Sequence, residues 1–269
     1  MQVAILFWIY KNVDVCFNRA QLLRKQNPQL KIYGLFGGEH KDAALFEESL
    51  KPYLDDFYVY PEDKSSEWKW LHGDLMLVKW FEQRGCSLPW DTILIAQWDM
   101  VMLAPVSQLL SSLKFDQLML PGLRPISDVE NWWYWVRKDS NVRSDYEKFC
   151  SALVEQFPSS PLCCNFITAA LPRRFLERYQ HIEQPEIGFL EYKIPIYAQI
   201  WGFSFCIDHP FNPAWLHEKH HNRIERALLT FHAEKRPIYT WTLLLNALLP
   251  WGKRVFHPYT KLLPQLLRG

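Results

Sequence analysis

Two oxygen-bearing side chains, Gln97 and Asp99, close the uncharged run Thr92-Ile93-Leu94-Ile95-Ala96. On an extended strand side chains alternate, so positions 97 and 99 fall on one face and Trp98 on the other. A carboxylate beside an amide oxygen is the donor set of a hard divalent cation such as Mn²⁺ or Mg²⁺. The plainer alternative is that Asp99 only caps the turn after the strand. A second pattern, His217-Glu218-Lys219-His220-His221, matches H-E-x-x-H, which on a helix sets two histidines for Zn²⁺ with Glu218 as general base. Its flank HEKHHNRIER is polar on every side, so a solvated helix is the better reading and a zinc metallopeptidase a remote one.

An apolar run without a polar break suits a parallel strand covered on both faces, and ligands of open α/β sheets bind beyond the carboxyl ends of such strands. The elements around it follow the same plan. Strands are expected over 3–9, 30–36, 57–60, 92–96 and 117–120. Helices are expected from the N-cap Asp14 to Asn27, over 41–50, over 67–84 with Trp68, Leu71, Leu75, Val78 and Phe81 on one face, and over 105–113. Alternating strands and helices predict a doubly wound, parallel sheet. Beyond Arg124 the pattern loosens: helices are expected over 145–157, 172–179, within 188–202, 224–231 and 238–249, with strands over 165–170 and 203–207 and no clear fold from Pro258.

The chain has 269 residues, with 30 Lys and Arg against 29 Asp and Glu, a balance that gives no footprint for nucleic acid. Six cysteines without CxxC spacing read as reduced thiols. The N-terminus lacks the basic start and cleavage site of a signal peptide, and no run is long enough for a transmembrane segment, so the expected localisation is cytoplasmic. The 13 tryptophans are the compositional oddity, read either as core or as surfaces for flat apolar faces, a membrane lip with peripheral contact included.

Three segments in order, VAILFWIYKNVDVCFNRAQLLRKQNPQLKIYGLFGG (3–38), KWLHGDLMLVKWFEQRG (69–85) and ILIAQWDMVM (93–102), resemble the glycosyltransferases of GT-A fold, in particular small nucleotide-diphospho-sugar transferases. The resemblance implies a GT-A-like α/β fold with a mostly parallel central sheet flanked by helices. It implies one domain over 1–269, with a Rossmann-like nucleotide-sugar-binding half (1–125) and an acceptor-side half (126–269). The implied activity is transfer of a sugar from a nucleotide-diphospho-sugar donor to a carbohydrate or other hydroxyl acceptor. Mn²⁺ or Mg²⁺ assists because negative charge gathers on the departing diphosphate.

Under that resemblance Asp99 is the metal-anchoring acid. Gln97 stands where a carboxylate is commoner, which keeps a non-catalytic sugar-nucleotide or carbohydrate-binding protein as the alternative. Asp74 matches acids that shape the donor pocket, while Tyr10 and Lys69 are donor contacts by position. FHAEK (231–235) looks like the family's FHPxK-type segment, offering His232 to the metal and Lys235 to a phosphate, with His257 in VFHP as the rival histidine. Glu191 in EYKIP resembles the base of inverting enzymes, with a pKa raised by burial, and Asp208 is the alternative base. Trp132, Trp133 and Trp135 are candidates for an acceptor lip, since sugars present C–H faces to aromatic planes.

Overall fold

The computed structural model describes residues 1–212, 230–231, 238–264 and 267. Strands β1 (Val3–Ile9), β2 (Lys31–Phe36), β3 (Asp56–Val59), β4 (Thr92–Gln97), β6 (Gln117–Met119), β9 (Ala169–Pro172) and β10 (Ser204–Cys206) form one sheet in the order β10-β6-β9-β4-β1-β2-β3. All run parallel except β9, which lies antiparallel between β4 and β6. Two short ribbons complete the strands: β5 (Val101–Met102) with β11 (Val255–Phe256), and β7 (Arg124–Pro125) with β8 (Leu162–Cys163).

The unbroken apolar runs are explained by two-sided burial. Along β1, Ala4, Leu6 and Trp8 enter one core while Ile5, Phe7 and Ile9 enter the other; along β4, Ile93 and Ile95 part from Leu94 and Ala96 in the same way. Helices α1 (Val13–Gln26) and α2 (Ala43–Leu50) cover one face. The other carries α4 (Gly73–Gln83), α7 (Arg173–Tyr179) and α8 (Leu190–Ile200). The chain runs from β1 through β2 to the β3 edge, then returns to β4 on the opposite side of β1. The carboxyl ends of β1 and β4 therefore flank the point where strand order reverses, the place where open sheets bind ligands.

Several expectations are corrected by the fold. The α1 cap is Asn12, in the left-handed region (φ 60°), whose side chain accepts from the Val15 amide at 3.3 Å; Asp14 lies inside the first turn. The helix expected over 67–84 is two, α3 (Ser66–Leu71) and α4, parted at His72. The break falls where the helix meets Trp8: a Cβ on Gly73 would lie 2.6 Å from the Trp8 ring, so only glycine allows the approach. The buried face of α4 becomes Gly73, Asp74, Met76, Leu77, Trp80 and Phe81. The segment over 105–113 yields only α5 (Val106–Leu109), and that over 145–157 yields α6 (Arg143–Ala152).

The portion after Arg124 does more than cover the sheet, because β9 and β10 belong to it. The stretch 258–264, where no fold was expected, is tied to α1. Buried Arg19 on α1 donates to the carbonyls of Tyr259 (2.7 Å) and Lys261 (2.6 Å), and Asn18 accepts from the Leu263 amide at 3.0 Å. With the β5–β11 pairing, these bonds bring the segment around His257 to the end of β4.

Candidate active site at the β1 and β4 strand ends

Strand β4 ends at Gln97, and the Met100 amide closes a turn on the Gln97 carbonyl at 3.0 Å. Asp99 sits in that turn, so strand alternation does not extend to it. This corrects the expected shared face. The Gln97 amide approaches the Phe166 carbonyl at 3.5 Å, whereas the Asp99 carboxylate meets His257, with Nε2 3.4 Å from Oδ1. Asp99 is buried, its carbonyl accepts from the Tyr259 amide at 2.8 Å, and its Oδ1 has no hydrogen-bond donor among the described residues. A buried carboxylate oxygen without a donor calls for an explanation, and Asp74 Oδ1 on α4 is likewise without a donor among the described residues.

The exit of β1 interlocks with this turn. Tyr10 meets Trp98 edge to face at 5.7 Å, and Lys11 Nζ lies 5.2 Å from the Trp98 ring centre. Burial, then the negative charge of Asp99, pushes the Tyr10 phenol well above its ordinary range, so it stays a neutral donor. Tyr10 keeps 37% of its surface exposed. Lys69 on α3 donates to the Gly38 carbonyl beyond β2 at 3.2 Å, which puts a second ammonium on the same rim.

Glu191, at the start of α8, is tied to the end of β4 through Phe166: the Phe166 amide donates to Glu191 Oε1 at 2.7 Å, and its carbonyl is the group that Gln97 approaches. Burial pushes the Glu191 carboxyl up to about 8, against the lowering by the Phe166 N–H. Asp208 lies apart. It is exposed at the end of β10 and accepts from Ser112 Oγ at 2.7 Å. Two strands, β6 and β9, lie between β10 and β4, three steps of roughly 14 Å in all at ordinary strand spacing.

Asp74 is a framework residue. Its carboxylate is fully buried, 2.7 Å from Lys193 Nζ, and accepts from the Tyr179 hydroxyl at 2.6 Å. It is neither a pocket acid open to a ligand nor an exposed helix acid, and it welds α4 to α7 and α8.

The tryptophans divide. Trp133 is buried and meets Tyr192 edge to face at 6.4 Å, so it belongs to the core; Trp132 is half-buried. Trp135 stacks on Phe189 at 3.8 Å and lies 5.5 Å from exposed Trp70. Trp135 and Phe189, with His72, Asp145, Lys148 and Glu186, line an open cavity of about 210 Å³. Trp70 is the ring that sequence reasoning missed; it falls off the expected buried face of the helix over 67–84, which is the signal that it is exposed.

His232, Lys235 and the HEKHH pattern at 217–221 lie outside the described residues. Among the described residues no group of three or more His, Cys, Asp and Glu is poised around a metal, and no helix is long and apolar enough to cross a membrane.

Neither a protein-family model nor a curated protein matches this chain. Among solved structures it is similar to the apo form of WbbM, a bifunctional glycosyltransferase, at 9% identity and a TM-score of 0.39 over 76% of this chain. The chain spans 38% of the length of that protein, and a likeness this distant carries no argument about chemistry.

Proposed function

We propose that the chain is a glycosyltransferase of GT-A-like fold that binds a nucleotide-diphospho-sugar at the β1/β4 switch point and transfers the sugar to a hydroxyl acceptor. The observation supporting it is Asp99, a buried carboxylate 3.4 Å from His257 at the switch point, a place where open sheets bind ligands. The three segments resembling GT-A enzymes converge there.

The Asp99 carboxylate oxygen fits Mn²⁺ or Mg²⁺, because these ions take one or two carboxylates and fill the rest with phosphate and water, and the His257 nitrogen beside it is a softer second donor. Such an ion supplies neutralisation of the charge that grows on the departing diphosphate. The chain's own residues do the rest. Asp99 and His257 would hold that ion, His257 being the histidine that the described residues place beside Asp99. Lys11 and Lys69 add positive potential at the rim, and Tyr10 offers a half-exposed ring for the base. Glu191, whose Oε1 is held by Phe166, receives the acceptor hydroxyl's proton at Oε2 when ionised, which its pKa of about 8 allows near neutral pH.

A thermal-shift screen of nucleoside diphosphate sugars with and without Mn²⁺ tests the reading, since a ligand bound only by the folded state raises the melting temperature. At least one donor is expected to raise it in a Mn²⁺-dependent manner. No shift with any nucleotide sugar would contradict the reading.

A further inference from the structure

Fifteen large hydrophobic side chains are exposed among the described residues, and five of them, Tyr239, Trp241, Leu245, Leu248 and Trp251, fall within thirteen positions. Trp241, Leu245 and Leu248 recur at i, i+4 and i+7 on the helix Thr240–Leu248, so they form one stripe. Tyr239 stacks on Trp241 at 6.1 Å, and Trp251 is 80% exposed. The opposite side of the same helix is anchored. Thr242 and Leu243 are buried, Leu243 against Leu22, Val101, Phe256 and Tyr259. Arg254 closes the helix end by donating to the carbonyls of Asn246 (2.6 Å) and Leu249 (2.8 Å). The apolar stripe is thus a fixed surface.

Charge says what covers it. Between positions 238 and 264 the sequence has Lys253, Arg254 and Lys261 and no Asp or Glu, whereas the rest of the chain holds 27 Lys and Arg against 29 Asp and Glu. A two-fold contact with a second copy would bring Lys253, exposed two residues after Trp251, and the other basic residues of this segment toward their own copies, with no acid between 238 and 264 to pair them. An anionic bilayer complements it: Trp and Tyr favour the headgroup level, leucines the acyl boundary, and basic residues the anionic lipids.

We propose that the face formed by Tyr239, Trp241, Leu245, Leu248 and Trp251 docks on an anionic phospholipid bilayer, the helix lying in the plane of the surface. The inference does not depend on glycosyl transfer. It has a consequence for the site, because the Thr240 hydroxyl meets the Tyr259 hydroxyl at 3.1 Å and the Tyr259 amide donates to the Asp99 carbonyl. Docking would hold the β4 turn one residue from the membrane-bound helix.

Co-sedimentation of the full chain with vesicles of phosphatidylcholine, alone or mixed with phosphatidylglycerol, tests the proposal. The chain is expected to sediment with the mixed vesicles. Trp241→Ser with Trp251→Ser should lower partitioning at least about tenfold, the scale of losing buried aromatic surface. The melting temperature should stay unchanged, because both rings are exposed in the free protein. Leu248→Ser gives a milder loss should the double variant misfold, and Lys253→Glu should weaken binding to the mixed vesicles only. The proposal is overturned by no binding to mixed vesicles, by equal binding of wild type and Leu248→Ser, or by a light-scattering dimer that Leu248→Ser dissolves.

Discussion

The raised carboxyl of Glu191 makes stability depend on pH. Its folded pKa of about 8 lies above the ordinary 4.5, so between these values the native state holds a proton that the unfolded chain releases. Stability is then fullest below 4.5 and falls as pH rises to about 8, by at most about 1.4 kcal/mol per pH unit from this group. Glu191→Gln keeps an acceptor for the Phe166 amide and removes the titration, so urea unfolding on either side of that window should show a flatter profile in the variant. A slope equal to wild type would place the carboxyl in water. Gln97 yields a second expectation. On a continuous strand Gln97→Glu would add a charge beside Asp99 and tighten Mn²⁺. In the folded chain the new carboxylate would instead face the Phe166 carbonyl with Glu191 close behind. A loss of about 1–3 kcal/mol in unfolding free energy is expected, with no gain in Mn²⁺ affinity. Asp99 and Glu191 could be picked out in the sequence as candidates; the turn that parts 97 from 99 could not, because period-2 reasoning holds only while the strand continues.

At the scale of elements, the Asp74–Lys193–Tyr179 cluster joins three helices. Asp74→Ala strands a buried ammonium, and a cost of about 3–5 kcal/mol is expected in denaturant unfolding. Asp74→Leu with Lys193→Met should recover most of that, as neither charge remains to be desolvated. If the single variant is near neutral, water already reaches Lys193. This cluster was hidden from sequence reasoning because Tyr179 lies 105 positions from Asp74. The helix break at His72 was hidden likewise: its cause is Trp8, on another strand, pressing against Gly73. Trp133 follows the same rule, since nothing in NWWYW tells which ring Tyr192 will cover.

At the scale of the molecule, the mostly parallel sheet could be read from its apolar runs, whereas the switch point between β1 and β4 came only with the strand order. The direction of β9 could not, since four residues buried on both faces carry no sign of parallel or antiparallel pairing. The stretch 258–264 carries no periodicity and is held to α1 by two neighbouring residues, Arg19 on the Tyr259 and Lys261 carbonyls and Asn18 on the Leu263 amide. Arg19→Leu should leave two carbonyls without donors, cost about 1–3 kcal/mol for each, and speed hydrogen exchange at the Tyr259 and Leu263 amides. Unchanged exchange there would mean that β11 alone fixes the tail.

The central claim is that Asp99 and His257, brought together by that tail, hold the diphosphate end of a nucleotide-sugar through a divalent cation. Calorimetric titration of a nucleoside diphosphate with Mn²⁺ into wild type, Asp99→Asn and His257→Ala tests it most directly. Asp99→Asn removes charge with little change of volume, so its melting temperature should stay near wild type while Mn²⁺-dependent affinity falls about tenfold or more, roughly 1.4 kcal/mol. His257→Ala should show a smaller loss of the same kind. Mn²⁺-dependent affinity unchanged in Asp99→Asn would contradict the account and move the site away from the β4 turn.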